Sequence, residues 1–205
     1  MKLLKYINIL GLLLLFSSCA SGYRAINLNN LNYISTSTDK GVVLEYKYEI
    51  LEKKYKKKEL VKGIRLIAVK IKNNSQRDLV FGKDIKLTYD DKSTIYVMEN
   101  EKVFALLKQS SASYLWYLLL TPMNLYTNQT QNGFTRQTSS TPIGLVIGPG
   151  LAGGNMIAAG SANTKFEKDL LEYNINGVTI KKGETVSGLI GIRSDDYNSI
   201  KVKID

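Results

Sequence analysis

Few side chains in this sequence can do chemistry, and their types exclude most reactions. Among 205 residues there is no histidine and one cysteine, Cys19. That removes the commonest general base, the commonest zinc ligand and every Cys/His or Ser/His/Asp arrangement. Acid–base work would fall on carboxylates, and the only adjacent acidic pairs are Asp90-Asp91 and Asp195-Asp196. Both stand between strand-like segments, where aspartate bonds nearby backbone; the alternative is a weak calcium site. The glycines of residues 148–154 precede no Lys-Ser or Lys-Thr, so they do not form a phosphate-cradling loop. Lys53, Lys54, Lys56, Lys57 and Lys58, with Tyr55 among them, read as a charged hairpin tip. They read alternatively as a patch for anionic headgroups with Tyr55 at the interface. Nothing calls for a cofactor or a metal, and the expectation is a non-catalytic protein. The enzymatic alternative is a carboxylate-dependent glycan hydrolase using Asp90 or Asp195.

The N-terminus supplies an address. Lys2 and Lys5 precede the apolar run Ile7–Phe16, broken only by Asn8 and Gly11, and Ser17-Ser18 stand before Cys19. These are the basic, apolar and small-residue regions of a signal peptide, and the run falls short of the ~20 apolar residues that span a bilayer. Phe16-Ser17-Ser18-Cys19 resembles the lipobox of bacterial lipoproteins. The resemblance implies cleavage before Cys19, acylation of its thiol, and a membrane partner held through covalent lipid. An exported chain whose lone thiol sits at the cleavage site has no disulfide framework, which agrees with it. Two or three acyl chains anchor stably where one is marginal. By the sorting rule of such lipoproteins, Ala20 after the cysteine implies the outer membrane, and the missing acidic cluster implies its periplasmic face.

Loss of residues 1–18 leaves 187 residues, one domain or one domain with an insertion. It also takes Lys2 and Lys5, lowering the formal charge from +10 to +8. A basic protein held near anionic lipid is drawn to it, whereas an exported lipoprotein rarely meets nucleic acid. Residues 19–40 are Asn-, Ser- and Thr-rich with isolated Ile26, Leu28, Leu31 and Ile34, and read as a polar tether.

From residue 41 the period is two. Val42–Leu51, Ile64–Lys72, Ile85–Tyr89 and Thr94–Met98 read as four strands in a meander. Val178–Ile180, Val186–Ile192 and Ile200–Ile204 add three near the C-terminus. Between them, residues 99–174 change period. Val103 to Thr121 is apolar at helical spacing and ends at Pro122; Thr127–Thr141 reads as a mobile loop; Thr164–Tyr173 is a further helical piece. Ile143–Gly160 is apolar but too rich in glycine, with Pro149, to stand as an isolated helix. The fold expected is mainly β, an antiparallel sandwich of about seven strands carrying a helical hairpin over about 99–174, in a domain of residues 41–205.

Ile67–Asn74 and Ile180–Ile192 resemble the framework of small immunoglobulin-like sandwich domains in exported bacterial proteins, which act mostly as binding or scaffolding modules. The insertion is the candidate contact surface: Tyr114, Leu115, Trp116, Tyr117 and Leu118, with Gly144, Gly148 and Gly154 on a small-residue stripe that lets another backbone approach. Either the two helical segments cover each other, or one stays exposed to an envelope protein partner or the bilayer. The function expected is a lipid-anchored envelope binding or assembly module; the alternative is a protein whose apolar hairpin inserts into the bilayer or a pore.

Overall fold

A computed structural model describes residues 19–205; the leader expected over 1–18 lies outside them. The chain is mainly β, with twelve strands in antiparallel sheets and three α-helices among the described residues. It divides into two compact units. One is built from Tyr23–Lys108 and Asn163–Asp205, the other from Gln109–Ala162 with residues 19–22.

The first unit holds ten strands. A five-stranded sheet runs in the order β1 (Ser35–Asp39), β2 (Val42–Lys47), β3 (Ile64–Asn73), β11 (Thr185–Arg193), β7 (Val97–Met98). A three-stranded sheet runs β12 (Ile200–Ile204), β5 (Ile85–Tyr89), β6 (Thr94–Ile95), and β10 (Thr179–Ile180) pairs β4 (Leu79–Val80). The period of two decides the core: Val42, Leu44 and Tyr46 of β2, Ile67, Val69 and Ile71 of β3, and Ile200, Val202 and Ile204 of β12 join one buried cluster drawn from all three sheets. Burying each such side chain stabilises by about 1.5–3 kcal/mol.

The expected meander forms only in part: β2 pairs β3 and β5 pairs β6. β3 pairs β11 along nine residues, Thr185↔Lys72 to Arg193↔Ile64, instead of pairing the next strand in sequence. The tether expected over 19–40 is also corrected in part. Ser35–Asp39 pairs with β2 through Lys40-Gly41, whose φ values of 42° and 84° suit a two-residue hairpin turn. Ile26 and Leu28 are buried.

The other face of β3 presents Ile64, Leu66 and Ala68, all buried. Helix α1 (Lys53–Lys62) packs on β3, and α2 (Asn100–Leu107) on β11. An aromatic cluster lies in this unit: Phe166 is 4.9 Å from Tyr55, 5.3 Å from Tyr23 and 6.0 Å from Phe104 between ring centroids. The close fit of α2 depends on Gly191 of β11, where a Cβ would run into the side chain of Val103.

In the second unit the expected first helix is interrupted. α2 stops at Leu107, and Ser111–Leu120 is a 3-10 segment. Ser113 Oγ donates to the Ser110 carbonyl at 2.6 Å, the local competition that makes serine a poor helix residue. Residues 127–141, expected as a mobile loop, belong to a hairpin of β8 (Leu125–Gln131) and β9 (Phe134–Thr141). Its turn is Asn132-Gly133, with φ of 52° and 79°. The two pieces expected over 143–173 are one helix, α3 (Gly144–Glu172), with Pro149 inside it. Residues 144–162 of α3 belong to this unit and the remainder to the first.

Candidate contact site around Cys19

The 3-10 segment has three residues per turn, so side chains at i and i+3 eclipse. Tyr114 and Tyr117 therefore share one edge. Their rings stack at 6.4 Å and 3°, and both are buried with Ala152 and Ala159 of α3. The same geometry turns Leu115, Trp116, Leu118 and Leu119 outward, with Trp116 73% exposed and Leu119 68% exposed.

Helix α3 meets this segment along a narrow stripe of small residues. A Cβ at Gly144 would strike the carbonyls of Leu120 and Thr121, and one at Gly148 would lie 2.8 Å from Thr121 Oγ1 and 3.1 Å from the Tyr117 carbonyl. Gly144 and Gly148 thus serve close approach, as the spacing suggested. Gly154 does not, because nothing lies within 4 Å of a Cβ there, and it is exposed. The outward face of this half of α3 carries Leu145, Val146, Ile147 and Ile157, all exposed.

Cys19 belongs to the same unit. It is half-buried, with Sγ 4.0 Å from Tyr117 Oη. The next two residues are held by side-chain amides. The Ala20 N–H donates to Asn155 Oδ1 at 2.5 Å, while Asn155 Nδ2 donates to the Leu151 carbonyl at 2.8 Å. The Ser21 N–H donates to Gln109 Oε1 at 3.1 Å, and Gln109 Nε2 donates back to the Ser21 carbonyl at 2.7 Å. Gln109 is buried and so copies one rung of a β-ladder. These two amides were not expected from the sequence, since nothing marks one Asn or Gln among many as a backbone clamp.

Composition separates this unit from the rest of the chain. Residues 109–162 carry one charged side chain, Arg136, and most of the exposed large hydrophobic side chains of the described residues. Only Ser37, Glu59, Arg65, Asn73, Thr88, Asn100, Gln109 and Asp169 are buried polar groups among the described residues, and Gln109 alone belongs here.

The lysine run is not a hairpin tip. It forms α1, ended by Gly63 in the left-handed region at φ 59°. Tyr55, expected at an interface, is buried and donates to Asn163 Oδ1 at 3.0 Å. A helix turns Tyr55 and Glu59, four residues apart, to the same side. Lys56 pairs with Glu49 at 2.7 Å, and Lys58 donates to the Lys108 carbonyl. Burial and neighbouring lysines push the Lys58 ammonium pKa down. Lys53 and Lys57 are exposed, and Lys54 is half-buried.

The acidic pairs sit in turns. Asp91 Oδ1 accepts from Ser93 N–H and Oγ, and those bonds hold its carboxyl below the usual range. Asp90 lies 3.4 Å from Lys201 Nζ. The Asp195 carbonyl accepts from Arg65, and the Asp196 carbonyl from Ser194 Oγ at 2.8 Å. No group of three or more His, Cys, Asp or Glu placed to hold a metal occurs among the described residues. Comparisons with protein-family models, curated proteins and solved structures returned no match.

Proposed function

We propose that this protein is a lipid-anchored component of a bacterial cell envelope, acylated at Cys19 and held at the periplasmic face of the outer membrane. It works without catalysis, as a binding or assembly module for an envelope protein partner. Its β-rich unit is an immunoglobulin-like sandwich, and residues 109–162 carry the exposed apolar face of the unit that holds Cys19. The observation that carries this reading is the company Cys19 keeps. The lipobox cysteine lies against Tyr117 in the one unit that is almost free of charge and rich in exposed apolar side chains. A carboxylate hydrolase finds little support at Asp90-Asp91, whose carboxylates are taken up by Lys201 and Ser93.

The test is Cys19→Ser in the full chain. Labelled palmitate should no longer be incorporated, and the protein should leave the membrane fraction. A serine variant that still takes up label overturns the reading. A second reading, insertion of an apolar hairpin, is favoured by α3, a helix that by length and composition is long and apolar enough to cross a membrane. Dye leakage from vesicles at low protein-to-lipid ratio distinguishes it.

A further inference from the structure

We infer that the unit of residues 109–162 lies flat in the headgroup region of the bilayer and holds the acylated Cys19 against itself, so that anchor and apolar face meet the lipid as one surface. This rests on the lipid-anchor reading and adds the occupant of the apolar face and its orientation.

Three observations carry it. The outward face of α3 changes character within one continuous helix. Leu145, Val146, Ile147 and Ile157 are exposed before residue 162, whereas Lys165, Glu167, Lys168 and Glu172 are exposed after it, with Leu171 the one large apolar side chain among them. A helix in a single solvent has no reason to divide this way, and one that leaves an apolar medium does. Next, the anchor residue is docked. Gln109 and Asn155 fix Ser21 and Ala20, which places the membrane attachment point on this same unit. A protein partner covering the face would give no reason for that coincidence; the membrane does.

The third observation sets the orientation. From Asn155, level with the anchor, back to Gly144 the helix rises about 16 Å at 1.5 Å per residue. The hydrocarbon core is ~30 Å thick. If α3 pointed down the bilayer normal, Gly144 and the adjoining ends of β8 and β9 would lie inside it. Those strands are polar, exposed and paired only with each other, so their outer edges would be unsatisfied in hydrocarbon. The unit therefore lies along the interface, where Trp116 and Tyr126 have the amphipathic rings suited to headgroup depth.

Trp116 is the sole tryptophan, which makes the test direct. The full chain, purified from membranes, is placed in phosphatidylcholine vesicles whose acyl chains are brominated near the headgroup or near the bilayer centre. The mass of the N-terminal peptide reads the acyl chains on Cys19 separately. Trp116 emission should shift to the blue and be quenched roughly twofold or more in favour of the shallow bromines. Leu119→Glu with Val146→Glu alters exposed positions only, and should abolish quenching while the acyl chains stay. An acylated protein with unquenched, water-like Trp116 overturns the inference and leaves the anchor reading standing, as does a Trp116-site photo-crosslink to protein in place of lipid. Quenching strongest at the bilayer centre overturns the flat orientation. Shallow quenching on a chain without acyl groups supports the lipid-facing surface and overturns the anchor.

Discussion

Glu59 should set the pH dependence of stability in the β-rich unit. Its side chain is 1% exposed, Oε1 accepts from the Leu66 N–H at 2.7 Å, and Oε2 has no hydrogen-bond partner. The nearby Arg65 guanidinium is committed elsewhere, donating to the carbonyls of Glu59, Ile64 and Asp195. Burial therefore wins, and the carboxyl is pushed up from 4.5 to about 7, with the Leu66 N–H and Arg65 opposing incompletely. Because the folded-state value is raised, the native chain keeps a proton that the unfolded chain releases. Stability is then greatest below the unfolded value, falls as pH rises from 4.5 towards 7, and levels off above. The gap is worth about 3 kcal/mol at ~1.4 kcal/mol per pH unit. Glu59→Gln keeps the acceptor for Leu66 and removes the ionisation. Urea unfolding between pH 5 and pH 8 should show the parent losing 2–3 kcal/mol, to order of magnitude, while the glutamine variant stays nearly flat. The exposed Glu49–Lys56 pair does not confuse the measurement, because Lys56 lowers the Glu49 carboxyl and its contribution is lost at more acid pH. Equal slopes for parent and variant across this range would refute the argument.

Two other sets of substitutions test packing. Gly148→Val should loosen the residues around Tyr117, read as faster proteolysis of residues 109–162, because its side chain would meet Thr121 and the Tyr117 carbonyl; Gly154→Ala, with open space, should stabilise α3 by up to about 1 kcal/mol. Gly191→Ala should cost roughly 1–3 kcal/mol by overpacking against Val103, and Val103→Ala in the same chain should recover part of it in a double-mutant unfolding cycle.

Much of the β-rich unit could be read from alternation, because β2, β3 and β12 each bury a face at period two. Pairing could not. A strand records which of its faces is apolar, and neither face says which neighbour will supply the ladder; β3 buries both, and its partner β11 lies more than a hundred residues away. Two hairpins outside the alternating segments carry their own turn chemistry. Lys40-Gly41 closes β1 on β2, and Asn132-Gly133 closes β8 on β9, each with positive φ at both turn residues. The lysine run failed as a hairpin tip for a different reason. Lys, Glu and Leu are good helix formers, and Gly63 provides the left-handed stop.

The site was legible where chemistry was singular and illegible where it was collective. Cys19 stands out as the only thiol, and Trp116 and its neighbours as an apolar run; Gln109 and Asn155 acquire meaning only once the fold brings them to Ser21 and Ala20. The overlooked signal is segmental charge. The chain's formal +10 conceals a division, since Arg136 is the sole charged side chain in residues 109–162 and the basic excess lies almost wholly outside them. Attraction between lysines and anionic lipid weakens as salt screens it, but an uncharged face is held by area removed from water, which salt does not screen. Lys56 and Lys58 are engaged within α1's own unit. On the proposed reading, the stronger contact with a lipid surface therefore falls to the side chains around Trp116, and the lysines of α1 supply longer-range attraction.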